Sequence, residues 1–335
     1  MTKIFLFSSL LFLSLSSCKK NTVQTLPTTP DAVAKPSGIF SSSGSGTIAV
    51  LNHAAVRGVL VRAAWKDVEP TEGNFNFTSL DIQINNLKAK GKKFSIAVNA
   101  GGVGSPDWLI TQKNVPYFNY LFRGLPYKLP LIWNDTVTTY LGKLADKLAE
   151  KYNNDPSLHL VYIPQMTANG NEGHLNGFNQ NAFVAAGYSE SKWIDASLKN
   201  AKRFALAFNK KALAFEVHDL FNSSAPASSI INSLWADNTL NRRVGAAMWW
   251  ISGKEDYQPN LITVLKNFPG DIYCQLIGRS DETTRFPPEG YQKVFEQAKQ
   301  IRARYIEPWE YEFGITTWNA VFTDFNQYAD NLRKY

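Results

Sequence analysis

The segment TVTTYLGKLADKLAEKYNNDPSLHLVYIPQM, residues 136–166, holds a helix and a strand in direct succession. Val137, Leu141, Leu144 and Leu148 recur at spacings of four, three and four, laying one apolar stripe along a helix from Thr136 to Tyr152. Asn153-Asn154-Asp155-Pro156 breaks the pattern, and Leu158 to Met166 is a short apolar run suited to a buried strand. Such a unit, repeated, builds an α/β protein on a parallel sheet.

The alternation extends in both directions. Upstream, Gly38-Ile39-Phe40, Val56 to Trp65 and Lys93 to Ala100 read as strands, with helices at Thr47 to His53 and Thr78 to Lys90. A long irregular stretch then leads to the helix at Thr136. Downstream, strands at Ala212 to His218, Val244 to Ile251, Asp271 to Ile277 and Arg304 to Trp309 alternate with helical stretches. Those helices cover Ser191 to Asn209, Pro226 to Trp235, Tyr257 to Asn267, a stripe of Tyr291, Val294, Phe295 and Ala298, and Thr317 to Leu332. Eight strands, each followed by a helix and with no break in composition, predict a single (β/α)8 barrel over residues 38–335 rather than an open sheet. The 335-residue length accommodates one.

The N-terminus reads differently. Lys3 precedes an apolar run from Ile4 to Leu15, too short to span a bilayer, which ends in Leu15-Ser16-Ser17-Cys18. That ending resembles the bacterial lipobox. The resemblance implies a signal peptide over residues 1–17 and a lipidated Cys18 that holds the protein on a membrane face. Lys19, in place of an Asp, points to the outer membrane. The rest of residues 18–37 is rich in Thr, Pro, Lys and Ala without period and reads as a flexible tether.

Composition excludes several classes. The net charge of +7 comes from scattered Lys and Arg with no run beyond two, so no phosphate-binding stripe exists and nucleic acid is not expected. Cys274, left alone once Cys18 carries lipid, reads as a buried filler. Four His without metal-ligand spacing, and no glycine-rich phosphate loop, leave neither a metal site nor a cofactor expected. Nine Trp stand out, and stacking on sugars would use them.

Barrel active sites lie at the C-terminal ends of the strands. The second strand ends in Arg62-Ala63-Ala64-Trp65, and Glu69-Pro70-Thr71-Glu72-Gly73-Asn74-Phe75-Asn76-Phe77 follows. The third leads to Ser105-Pro106-Asp107-Trp108-Leu109. These W-x-x-x-E-P-x-x-G-x-F-x-F and P-x-W-L elements, in this order, resemble clan A glycoside hydrolases, especially the beta-galactosidase-like families. Phe75 and Phe77 are expected to pack the loop. The resemblance implies a glycan substrate and two carboxyls across the scissile bond, one after the fourth strand and one on the seventh.

Asn171-Glu172, after the fourth strand, resembles the family's Asn-Glu pair, which makes Glu172 the general acid/base and Asn171 a sugar ligand. As an acid Glu172 needs a raised pKa. It lies beyond Met166, so the loop must fold back. On the seventh strand the nucleophile's position is Gln275, an amide, which puts a retaining mechanism in doubt. Glu307 is the leading replacement, with Glu216, Glu282 and Glu310 as further candidates, and a wider carboxylate separation would imply inversion. Arg62 matches the family's inward Arg, with an ion pair to Glu307 as the competing role. Trp65, Asn99, His218, Trp249 and Trp309 complete the expected substrate-binding set, though a satisfied core histidine is the somewhat more common role for a residue placed like His218. Trp249 and Trp250 should point to opposite faces. Two functions follow: a lipid-anchored glycoside hydrolase, or a carbohydrate-binding barrel whose Gln275 marks lost catalysis. A purely structural envelope lipoprotein accounts for neither the Trp-rich strand ends nor the Glu172 loop.

Overall fold

The computed structural model describes residues 33–332. The 1–17 leader, Cys18 and residues 19–32 of the expected tether lie outside them. The strands are β1 (Gly38–Ser41), β2 (Gly58–Ala64), β3 (Lys93–Asn99), β4 (Tyr117–Phe122), β5 (Leu125–Pro130), β6 (Leu158–Tyr162), β7 (Ala212–Glu216), β8 (Val244–Ile251), β9 (Ile272–Leu276) and β10 (Tyr305–Glu307). Eight of them close a parallel barrel in the order β1-β10-β9-β8-β7-β6-β3-β2. This is the predicted single (β/α)8 fold.

Strand alternation sorts the apolar residues into two cores. Leu160 and Tyr162 of β6, Ala247 and Trp249 of β8, Tyr273 and Tyr305 fill the barrel, where Ala212 and Ala214 of β7 make room for the rings. Val161, Met248, Trp250 and Cys274 face outward under the helices. The helix Asp135–Tyr152 buries the predicted stripe of Val137, Leu141, Leu144 and Leu148. Truncating a buried Leu of this kind to Ala costs about 2–5 kcal/mol. Asn134 caps the helix, its side chain accepting from the Thr136 amide at 3.0 Å. The last helix, Asn319–Asn331, closes the barrel through Asn326, which accepts from the Ile39 amide at 2.8 Å and donates to the Ala55 carbonyl at 2.9 Å.

Two features were not in the sequence expectation. The irregular stretch after β3 contains the antiparallel hairpin β4–β5, which stands outside the barrel. Its turn is Arg123-Gly124 with φ of 51° and 78°, a left-handed pair of the kind that joins two-residue hairpins. Residues 35–37 of the expected tether are held on the barrel's N-terminal face. Lys35 pairs with Asp271 and lies 4.7 Å from the centre of the Trp235 ring. Arg304 also pairs with Asp271 and donates to the Pro36 carbonyl at 3.0 Å.

Candidate active site

The fourth barrel strand ends at Tyr162, and the chain that follows doubles back over the barrel mouth. Gln165 N–H donates to Gly170 O at 2.9 Å, and Ala168 N–H to His174 O at 3.2 Å. The returning loop presses on the segment after β3: Ala100 N–H donates to Gly170 O at 3.2 Å, and Gly102 N–H to Thr167 O at 3.2 Å. Glycine is required at both crossings. Gly170 (φ 90°) and Gly101 (φ 60°) are left-handed, and a Cβ on either would meet a backbone oxygen at 2.2 Å. This fold-back carries Glu172 to the mouth.

Glu172 is anchored there by its own loop. Asn169 Nδ2 donates to its Oε1 at 2.8 Å, and Asn169 Oδ1 accepts from its amide at 3.0 Å. Its Oε2 lies 3.7 Å from His218 Nε2 and 3.9 Å from His174 Nε2. Burial pushes the Glu172 carboxyl up, but His218, His174 and Asn169 together outweigh it, and its pKa falls below the usual carboxylate value. The raised pKa expected of an acid is therefore absent, because two imidazoles and the Asn169 amide face the carboxylate. Burial, the neighbouring His218 and Arg123 lower His174 to about 4 despite Glu172, so His174 is neutral at pH 7.

His218 has a defined tautomer. Asp219 N–H donates to Gln258 Oε1 at 2.7 Å, which turns the amide so that its Nε2 donates to His218 Nδ1 at 3.1 Å. The ring proton then sits on Nε2, between Glu172 and Glu216 Oε1 at 3.5 Å. Glu216 is 2% exposed and accepts from the amides of Trp249 (3.0 Å) and Gly173, tying the returned loop to β8. Burial, then the Glu172 charge, holds its carboxyl well above the usual range.

A cleft of about 670 Å³ opens over the strand ends, and Arg62, Asn99, Asn171, Glu172, His218, Trp249, Gln275 and Trp309 all line it. Asn171 Nδ2 donates to Asn99 Oδ1, while Asn171 Oδ1 has no partner. The Arg62 guanidinium lies 5.0 Å from the centre of the Trp249 ring, and its Nε and Nη2 are buried without hydrogen-bond partners. Half-buried Trp309 is fixed by Nε1 donating to Leu276 O at 2.8 Å. Trp249 and Trp250 belong to the inner and outer cores respectively, yet both reach the cleft. Buried donors and acceptors left open beside aromatic rings are what a polyhydroxyl ligand needs.

Two expected site residues are corrected. Trp65 is 0% exposed, with Nε1 donating to Glu69 Oε2 at 2.8 Å and its edge against Trp108, so it packs the loop and cannot touch substrate. Glu307 is also 0% exposed and lies beneath the cleft floor rather than in its wall. It accepts from Gln275 Nε2 at 2.6 Å, Tyr162 OH at 3.0 Å and Tyr305 OH. Burial pushes its carboxyl up against those donors and Arg62, but no Arg62–Glu307 ion pair forms. Of the other carboxylates, Glu310 is outside the cleft and Glu282 is in its wall. Glu282 accepts from the Arg279 amide at 2.9 Å and lies 3.3 Å from Arg285 Nε. The reading from sequence missed His174, and Phe122 and Arg123 from the hairpin tip, which also line the cleft. Among the described residues no group of three His, Cys, Asp or Glu could hold a metal ion.

A closed parallel barrel with an Asn-Glu pair after its fourth strand is what the clan A resemblance predicted, and the comparisons agree in kind. Residues 47–210 match the model of a family described as Beta-galactosidase. The catalytic domain of β-amylase from Paenibacillus polymyxa is a structural relative at TM-score 0.61 and 11% identity, covering 90% of this chain and 100% of that one. Native xylanase 10B from Thermotoga maritima aligns at TM-score 0.51 and 11% identity, over 82% of each chain. At such identities these two establish the fold alone. No curated protein matches the sequence.

Proposed function

We propose that this protein is a lipid-anchored glycoside hydrolase that cleaves an O-glycosidic bond with inversion, Glu172 as acid and Glu282 as base. The observation that carries the reading is the make-up of the cleft wall. Among the described residues that line it, Glu172 and Glu282 are the only carboxylates, set among amides, arginines and three tryptophans. Gln275 cannot attack an anomeric carbon. Inversion needs a base that activates water on the opposite face of the sugar, with the two carboxyls about 6.5–9.5 Å apart. The loop beyond β9 carries Glu282 in the cleft wall. Trp249 and Trp309 stack on the pyranose, and Arg62, Asn99 and Asn171 bind its hydroxyls.

Glu282→Gln tests the base assignment. Turnover should fall at least about a hundredfold, the scale of general base catalysis, and NMR of wild-type product should show the inverted anomer. Retained configuration, or full activity in Glu282→Gln, removes the assignment. The carbohydrate-binding reading is favoured by one contact, the Gln275 amide held by Glu307 at the nucleophile's place. It requires sugar binding without hydrolysis by the wild type. Anchoring is tested separately. Cys18→Ser should move the protein from the membrane to the soluble fraction or block its processing, and unchanged fractionation sinks the lipid anchor.

A further inference from the structure

A second cavity of about 670 Å³ lies against the hairpin β4–β5, and Val103 lines both it and the cleft. The hairpin is the ridge between the two. Its tip, Phe122 and Arg123, belongs to the cleft wall, while Asn119, Tyr120, Tyr127 and Lys128 from its stem line the second groove. Tyr120 is packed down by donating to Ala168 O, beside half-buried Tyr127 at 6.0 Å between ring centroids. Around these rings stand Asp107, Asn119 and Lys66, whose side chains make no hydrogen bond or ion pair with the described residues. Gly102 is part of the same design, since a Cβ there would meet the Tyr120 hydroxyl at 2.2 Å.

We propose that this groove is a further sugar-binding site, taking additional units of the glycan chain whose scissile bond lies in the cleft. The inference rests on the glycan reading above and deepens it. A pyranose offers an apolar C–H face and a rim of hydroxyls, and the groove offers tyrosine rings with free carboxylate, amide and ammonium groups around them. Val103, common to both walls, sets the groove beside the cleft, so the occupant is a longer stretch of the same glycan chain.

The test is chain-length dependence. Galacto-, xylo- and malto-oligosaccharides from disaccharide to hexasaccharide are compared on wild type, Tyr127→Ala and Lys128→Ala, with hydrolysis and calorimetric binding both read. In the series that wild type accepts, kcat/KM or affinity should rise with length. Tyr127→Ala should remove about tenfold of that gain, and Lys128→Ala a smaller part, with both variants leaving the disaccharide unchanged. That unchanged disaccharide also shows that the variants are folded. Disaccharide use with no gain on lengthening, or an equal loss at every length, overturns the groove and leaves the glycan reading standing. Failure to bind or cleave any length overturns both.

Discussion

Glu172→Gln should lower kcat on unactivated glycosides about a thousandfold, within the range of a lost general acid, while leaving sugar affinity nearly intact. The amide has the carboxylate's shape and can keep the Asn169 contact at Oε1, but its N–H protons are too weakly acidic to deliver to a leaving group. The wild-type pH profile should carry the same signature. As the proposed acid Glu172 must be protonated to act, and in the free protein His218, His174 and Asn169 outweigh burial and lower its pKa. kcat/KM reports free-enzyme ionisations, so it should fall as pH rises through that lowered pKa, giving an acid optimum. His218→Gln removes the first of the lowering contacts while burial remains, and should move the falling limb to higher pH. Unimpaired turnover in Glu172→Gln, or a limb that His218→Gln leaves in place, would falsify the acid assignment.

Asp271→Ala should destabilise the fold by about 3–5 kcal/mol, the usual cost of breaking a buried ion pair by removing one partner. Asp271 is 5% exposed and receives both Lys35 and Arg304, whose side chains are only 10% and 8% exposed. Without it two cations stay buried with no anion. For a chain of this size the loss corresponds to a fall of about 5–8 °C in Tm. Lys35→Met in the Asp271→Ala background should recover part of it, since one stranded charge is then gone. A loss under about 1 kcal/mol in Asp271→Ala would mean that the N-terminal stretch is not docked as described.

Lys35 also marks where reading the sequence stopped working. The Pro- and Thr-rich stretch that leads up to it carries no period, and the contact that orders Lys35 is to a residue far along the chain, which no local pattern encodes. The barrel itself was legible because its strands and helices carry their own periods, and Ala212 and Ala214 opposite aromatic rings fit a filled interior. The hairpin β4–β5 was not, because its turn is Arg-Gly rather than Asn-Gly and β5 contains Pro126 and Pro130. A central strand would reject those prolines, but a two-stranded ribbon with free edges tolerates them. At the site, residue type placed Glu172, Arg62 and Trp309 in one cleft but could not separate Trp249, at the mouth, from Trp65, sealed behind it. The return of Glu172 depends on Gly101 meeting the loop at Gly170, again a contact between distant segments.

The Gln275–Glu307 contact constrains how this cleft can change over generations. Gln275→Glu, the one-residue route to a nucleophile on β9, would set a second carboxyl against Glu307 at the 2.6 Å now spanned by an amide hydrogen bond. Two carboxylates at that distance cannot both ionise, so the pair would share a proton and the new Glu would lose its nucleophilicity. Restoring it would require replacing Glu307 as well, and that change alone strands the Gln275 amide and the hydroxyls of Tyr162 and Tyr305 in a buried floor. Each step is unfavourable when taken alone, so the amide is held in place by sign epistasis.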